Sequence, residues 1–279
     1  MILVTGATGK VGRHLVTGLL AEGAAVRALT RGTREPALPV GTDIARWDPA
    51  QPATLAAALA GTTAVFVNVT AVGGVIGELM DAASVAGTRQ AVMLSSFTVQ
   101  DNGVQPYSIG AHHKAIEDQV RASALAATFL RCGGFAANTL AWAPMIRGEG
   151  VVRAPYADAA TAPIAERDIA AAAVRVLLDG GHAGARYVLT GQQSLTQAGQ
   201  AQAIGAAIGR PVRFEELSAE AFRQATAGYL PAAAADDMLR YLAAYSGRTA
   251  QMSPDLEVIT RQPATTFTDW SVEHAASFR

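Results

Sequence analysis

Three glycines spaced three residues apart, Gly6, Gly9 and Gly12, separate the aliphatic run Ile2-Leu3-Val4-Thr5 from the start of an amphipathic helical pattern. A turn this tight between strand and helix tolerates few side chains. The helix that leaves it presents unpaired N–H groups and a partial positive charge to whatever sits above the turn. Such a unit also commits the chain to parallel pairing, because the helix must carry the backbone back along the sheet before the next strand can start.

The rest of the chain repeats that unit. Residues 2–5, 25–29, 64–69, 91–95 and 127–130 read as strands, and 12–20, 52–59, 76–86 and 111–123 as helices. A helix over 168–178 follows, with Asp168 as its expected N-cap, then a strand at 187–190, a helix at 196–208 and a strand at 212–215. The alternation predicts an α/β fold: a doubly wound parallel sheet with helices on both faces and a small C-terminal α+β lobe. We place the nucleotide-binding core at 1–150, with a returning segment around 164–192, and a substrate lobe at 193–279. Trp142, Met145, Phe222, Tyr229 and Tyr241 are the apolar and aromatic residues that would wall a pocket there, if they are not ordinary core.

Charge excludes some partners. With 22 basic and 23 acidic residues the net charge is −1, which offers no electrostatic footprint for nucleic acid or an anionic membrane. The longest apolar run, about residues 64–77, is too short to span a bilayer, and no basic leader precedes the first strand. One cysteine, Cys132, excludes an intrachain disulfide and a multi-cysteine metal site, so no metal is expected. These features read as a cytoplasmic protein, a monomer or homodimer, acting on a small molecule.

Two lysines, Lys10 and Lys114, stand against twenty arginines. Where arginine serves as the generic cation, a retained lysine marks a site that suits a compact ammonium. Lys10 opens a helix, an unfavourable place for a cation unless an anion is bound nearby. The glycine turn, with Gly6, Thr8, Gly9, Lys10, Val11 and Gly12, therefore reads as a cradle for a dinucleotide pyrophosphate. After the second strand comes Thr30-Arg31-Gly32-Thr33-Arg34, with no carboxylate before Glu35. A cation there suits the 2′-phosphate of NADP(H), with Arg31 as its partner, and leaves NAD(H) as the alternative.

Several later motifs join the glycine turn: Leu94-Ser95-Ser96, Leu130-Arg131-Cys132-Gly133-Gly134-Phe135-Ala136-Ala137-Asn138, Ala162-Pro163-Ile164 with Arg167-Asp168-Ile169-Ala170, Ile208-Gly209-Arg210-Pro211-Val212 and Phe267-Thr268-Asp269-Trp270. Together they resemble the NmrA-like, atypical branch of the short-chain dehydrogenase superfamily along nearly the whole chain. The resemblance implies a Rossmann core, a C-terminal lobe and a substrate cleft between them. It implies that Asp48 lies near the adenine, Asn68 and Thr70 by the ribose and pyrophosphate, and Phe135 to Asn138 by the nicotinamide. Asn138 stands either there or as a loop tie.

Ordinary members of the superfamily carry a Tyr-x-x-x-Lys helix and a serine. By resemblance the lysine is Lys114, which would hold the nicotinamide ribose or else only pair with Asp118 at i, i+4, and the serine is Ser96, with Ser95 at the strand end as a cofactor contact or a backbone tie; Gly110 occupies the tyrosine position. The remaining candidates for proton donor are Tyr107, seven residues before Lys114, and His112 or His113, of which at most one can face the cleft. Two functions fit. One is an NAD(P)H-dependent reductase of a quinone, enone or imine-type acceptor that works without the tyrosine; the other is a non-catalytic NADP(H) sensor.

Overall fold

The computed structural model describes residues 1–31, 36–48, 50–102 and 104–279. The first half follows the expected alternation: β1 (Ile2–Thr5), α1 (Lys10–Ala21), β2 (Val26–Thr30), β3 (Asp43–Arg46), α2 (Pro52–Leu59), β4 (Ala64–Asn68), the short α3 (Val69–Val72), α4 (Ile76–Val85), β5 (Gln90–Ser96), α5 (Ser108–Ala122) and β6 (Ala126–Cys132). A 3₁₀ stretch, Ala136–Trp142, leads to α6 (Ala143–Glu149), β7 (Val151–Ala154), β8 (Ala160–Thr161), α7 (Glu166–Leu178) and β9 (Arg186–Leu189). The chain ends with β10 (Leu195–Thr196), α8 (Gln197–Ile208), β11 (Arg213–Glu216), α9 (Ala219–Thr226), α10 (Ala232–Tyr245), α11 (Asp255–Thr260), α12 (Phe267–Glu273) and α13 (Ala275–Phe278).

Seven parallel strands form one sheet in the order β3-β2-β1-β4-β5-β6-β9. The central strands are buried on both faces, which is why they read as unbroken aliphatic runs rather than alternating ones. One face packs under α1, α7 and α11 through residues such as Leu15, Leu19, Ile169 and Leu256; the other packs under α2, α4 and α5 through Leu59, Leu79 and Ile116. Strand order reverses between β1 and β4. In an open parallel sheet that reversal leaves a crevice beyond the C-terminal strand ends, and the Gly6 to Gly12 turn lies at its mouth.

The lobe is assembled differently from the expected 193–279 block. β11 pairs in parallel with β7, and β10 pairs antiparallel with β8. Ile146, Val152, Ile204 and Trp270 share one buried cluster, so residues from about 136 to 161 belong spatially with the C-terminal segments. Conversely, Leu256 and Ile259 of α11 join the core beneath the main sheet. Asp168 is also not the N-cap of α7. Ala165 holds that place, and the Asp168 carboxylate accepts from Thr265 N (2.7 Å) and Oγ1 (2.8 Å), tying α7 to the segment before α12. Sequence spacing located the helix but could not reveal a partner 97 residues away.

Candidate active site

The glycine turn is built as a cradle. Gly6 has φ of +66°, in the left-handed region, and Gly9 N donates to Gly6 O at 2.9 Å. A Cβ on Gly12 would stand 2.0 Å from Gly6 O, so the helix start and the strand end touch backbone to backbone. α1 has no side-chain N-cap and no acidic residue in its first turn, which leaves its N–H groups and positive end for an anion. Thr5 stitches the turn to the next strand: its hydroxyl donates to Phe66 O (3.0 Å) and accepts from Asn68 N (2.7 Å).

Beside the turn a cavity of about 450 Å³ brings together Gly6, Thr8, Thr30, Arg31, Trp47 and Ala71. Gly6, Thr8 and Arg31 were expected to cluster; Trp47, a buried aromatic at the end of the third strand, carried no sequence signal. Arg31 is exposed and forms no ion pair among the described residues. Gly32, Thr33, Arg34 and Glu35 lie outside the described residues. The residues present thus fit a dinucleotide: a side-chain-free cradle, an uncapped helix end and a pocket with a cation at its rim.

Several other expected residues make contacts within the protein. Lys10 Nζ donates to Ala137 O at 3.1 Å, reaching across to the segment after β6 rather than over the turn. Arg13, which sequence reading passed over, instead wraps the turn, donating to Thr8 O (3.0 Å) and Gly9 O (3.4 Å). Asp48 is spent on its own loop, accepting from Ala50 N (2.9 Å) and Gln51 Nε2 (2.8 Å). Asn68 caps α3 through Ala71 N (3.3 Å) and lies against the cradle, its side-chain nitrogen 3.0 Å from where a Cβ on Gly6 would stand, while Thr70 is exposed at that helix.

The Phe135 to Asn138 strip is clamped. Ala136 N donates to Ile164 O at 2.8 Å, and Ala137 N donates to Glu166 Oε1 at 2.9 Å. The other oxygen of Glu166, a residue only 4% exposed, accepts from Trp270 Nε1 at 3.1 Å. Trp270 is itself sandwiched, with Phe267 5.5 Å on one side and His274 4.2 Å away in a near-parallel stack. Residue 137 is therefore held at its N–H by Glu166 at the start of α7 and at its carbonyl by Lys10. Asn138 is exposed and forms no side-chain hydrogen bond among the described residues, which favours the open position over a loop tie.

At the end of β5 the expected donors are mostly engaged. Ser95 Oγ donates to Glu117 Oε1 at 2.6 Å, and Glu117, fully buried on α5, takes a bidentate grip from Arg131 (2.9 and 2.7 Å). Arg131 also holds Asp101 (3.0 and 2.7 Å), and that hydrogen bond keeps the Asp101 carboxyl below its usual range. This network bolts α5 to β5 and β6. Lys114 pairs along its own helix with Asp118 at 2.6 Å, and the hydrogen bond lowers the Asp118 pKa. His113 Nδ1 lies 2.9 Å from Ile109 O, and burial holds its imidazole below the ordinary pKa. Tyr107 puts its ring 5.9 Å from Tyr241, which also meets Phe97 (6.0 Å) and Tyr245 (4.9 Å). These rings form an aromatic roof beside Ser96, fixed by Asp237 of α10, which accepts from Ser108 N at 2.6 Å and from Ser108 Oγ.

Gly110, which the resemblance put at the tyrosine position, is closed in by the turn after β5. A Cβ there would stand 2.8 Å from Thr98 O, so the 96–98 turn presses directly on the helix backbone. No side chain fits at that position without moving the turn.

A glycine cradle at the switch point of a seven-stranded parallel sheet, with a smaller lobe packed beside it, defines a Rossmann-type nucleotide-binding fold. The chain belongs to the NmrA-like family, whose model matches residues 1–275. It is 39% identical to the (4-alkanoyl-5-oxo-2,5-dihydrofuran-3-yl)methyl phosphate reductase of Streptomyces griseus, over 100% of this chain and 99% of that one. It is 34% identical to the NAD(P)H azoreductase of Xenophilus azovorans, over 100% and 99%. Among solved structures it matches the NADPH-dependent quinone oxidoreductase of Escherichia coli with a TM-score of 0.82 and 26% identity, over 98% and 99%. Among the described residues no helix is long and apolar enough to cross a membrane.

Proposed function

We propose that this protein is an NADPH-dependent reductase that delivers hydride to a conjugated acceptor of the quinone, enone or imine type, without a tyrosine proton donor. The observation that carries the reading is the contact at Gly110: where the resemblance puts the tyrosine, Thr98 O leaves no room for a side chain, and this supports a reduction that proceeds without that donor. Its relatives named for reductase activity over the full chain support it.

The bound reduced nicotinamide supplies the hydride. The protein's own residues do the rest. The uncapped start of α1 and the bare Gly6 to Gly12 turn hold the pyrophosphate, and Arg31 takes the 2′-phosphate. Glu166 and Lys10 fix the 135–138 strip, so that the far end of the dinucleotide meets a rigid surface. The cluster of Phe97, Tyr107, Tyr241 and Tyr245 would offer flat apolar surface to a planar acceptor. Conjugated acceptors spread the incoming charge onto an oxygen or nitrogen, where hydrogen-bond donors suffice and no strong acid is required.

The test is a panel of quinones, enones and cyclic imines assayed by loss of reduced-nicotinamide absorbance. We expect turnover with at least one class; none anywhere, with NADPH binding intact, would leave the sensor reading instead. Cofactor choice has its own check. Arg31→Ala should weaken NADPH binding by about 1.5–3 kcal/mol, tenfold or more, as expected for a charge-assisted contact, and leave NADH nearly unchanged. Equal losses for both nucleotides would remove Arg31 from the 2′-phosphate.

A further inference from the structure

Two hydroxyls meet where β5 ends. Ser96 Oγ and Thr98 Oγ1 are 2.8 Å apart, and Thr98 N also reaches Ser96 Oγ at 3.3 Å. Each hydroxyl has one proton to give, so only one of the two can be used within the pair. If Thr98 were the donor, the unused proton would sit on Ser96, which is 8% exposed and already accepts from Thr98 N. With Ser96 as donor, the unused proton sits on the more open Thr98, where a ligand can take it. Burial of unsatisfied donors is costly, so the second arrangement is favoured.

The position of Thr98 gives that proton a purpose. A Cβ on Gly110 would stand 3.3 Å from Thr98 Oγ1, so the threonine lies against the bare face of α5 one turn before Lys114. Its neighbour Phe97 touches Tyr241 of the aromatic roof. On the strand end and on α5, Ser95 is already held by Glu117, His113 by Ile109 O and Lys114 by Asp118.

We propose that Thr98 is the substrate-facing hydrogen-bond donor of this site and that Ser96 acts through it as a positioning residue. The proposal rests on the reductase reading. Hydride adds to the electron-poor end of the conjugated acceptor, and the π pair moves to its terminal oxygen or nitrogen. The acceptor gains two electrons and the nicotinamide loses them. Thr98 O–H donates a hydrogen bond to that terminal atom and keeps its own proton. Water then protonates the atom, and the hydroxide is taken up by buffer.

The test compares Thr98→Val, which keeps the shape and removes the hydroxyl, with Thr98→Ser, which restores it; Thr98→Ala serves if the valine does not fold. We expect the valine to lower kcat about ten- to a hundredfold with the KM for NADPH unchanged, and the serine to recover most of it. A second readout needs no turnover: 4-nitrophenol, titrated by its visible absorbance in the presence of protein and NADP⁺, should ionise at lower pH with the wild type than with Thr98→Val, and Thr98→Ser should restore the shift. Ser96→Ala should reduce that shift partially. Equal ionisation midpoints for wild type and Thr98→Val, or an unchanged kcat, overturns the proposal. A midpoint that responds to Thr98 in a protein that reduces no acceptor supports the hydrogen-bond assignment and counts against the reductase reading alone.

Discussion

Arg131→Leu should destabilise the protein by about 3–5 kcal/mol, because it strands a buried carboxylate. Glu117 is fully buried and Arg131 exposes only 7% of its side chain, so neither charge can turn to water when the other is removed. Glu117 would keep Ser95 Oγ and a long contact of 3.5 Å to Arg121, far less than the bidentate grip it loses. Urea titration should show the midpoint falling sharply at unchanged slope. Removing both charges, as Arg131→Leu with Glu117→Leu, should recover much of the loss, since apolar side chains can replace a buried pair at little cost. A single variant within about 1 kcal/mol of the wild type would show that the network does not bear on stability. The functional consequence follows from where the network sits. It joins α5 to the ends of β5 and β6, so losing it should loosen the helix that carries Gly110 and Lys114 and raise the KM for NADPH as well.

Gly12→Val should abolish measurable dinucleotide binding. The added Cβ would sit 2.0 Å from Gly6 O, 2.7 Å from Gly6 C and 2.8 Å from Ala7 Cα, all backbone atoms that cannot rotate away. The strand-to-helix turn must open, and the N–H groups of the first helical turn then no longer converge on one anion. A hundredfold or greater rise in the NADPH dissociation constant, about 3 kcal/mol, is the expected result, read by titration calorimetry or fluorescence. Gly12→Ala should show the same direction with part of the size. NADPH affinity within a factor of about two of the wild type would mean that the cradle is not where the pyrophosphate binds.

Much of the fold was legible because a doubly buried parallel strand has an unmistakable pattern. Ile2 to Thr5, Ala64 to Asn68 and Gln90 to Ser96 are aliphatic runs with turn residues at their ends, and the helices between them carry apolar residues at helical spacing. β3, Asp43–Arg46, was least visible: as an edge strand it has no fully buried residue, and it is held by its ladder to β2 and by the Arg27–Asp43 ion pair at 2.6 Å. β11 was read at 212–215 without its partner, while β7, β8 and β10 went unread: β8 and β10 have two residues and no periodicity to show, and each of these strands pairs with one distant in sequence.

The candidate site divides along the same line. Turn chemistry is local, so Gly6, Gly9 and Gly12 announced the cradle, and Arg31 stood where a second strand ends beside it. Side-chain destinations are not local. Lys10 was expected at a phosphate, and its four-carbon stem instead spans to Ala137 O, 127 residues away. Lys114 is the local exception: its ammonium rests on Asp118, four residues along the same helix face, the pairing that the sequence offered as the alternative to a ribose contact. Glu166 gave no signal, because only the folded chain brings Ala137 N and Trp270 Nε1 to its two oxygens.

By itself the sequence determined the parallel sheet, the glycine cradle and the absence of a tyrosine four residues before Lys114, all of them consequences of residue type and spacing along a few turns of chain. Tertiary structure decided what that absence means. Thr98 O lies against Gly110, so the position is closed by backbone rather than merely vacant, and a threonine hydroxyl occupies the space beside it. Packing contacts of this kind depend on how a turn after one strand lies upon the next helix, and no spacing rule encodes that approach.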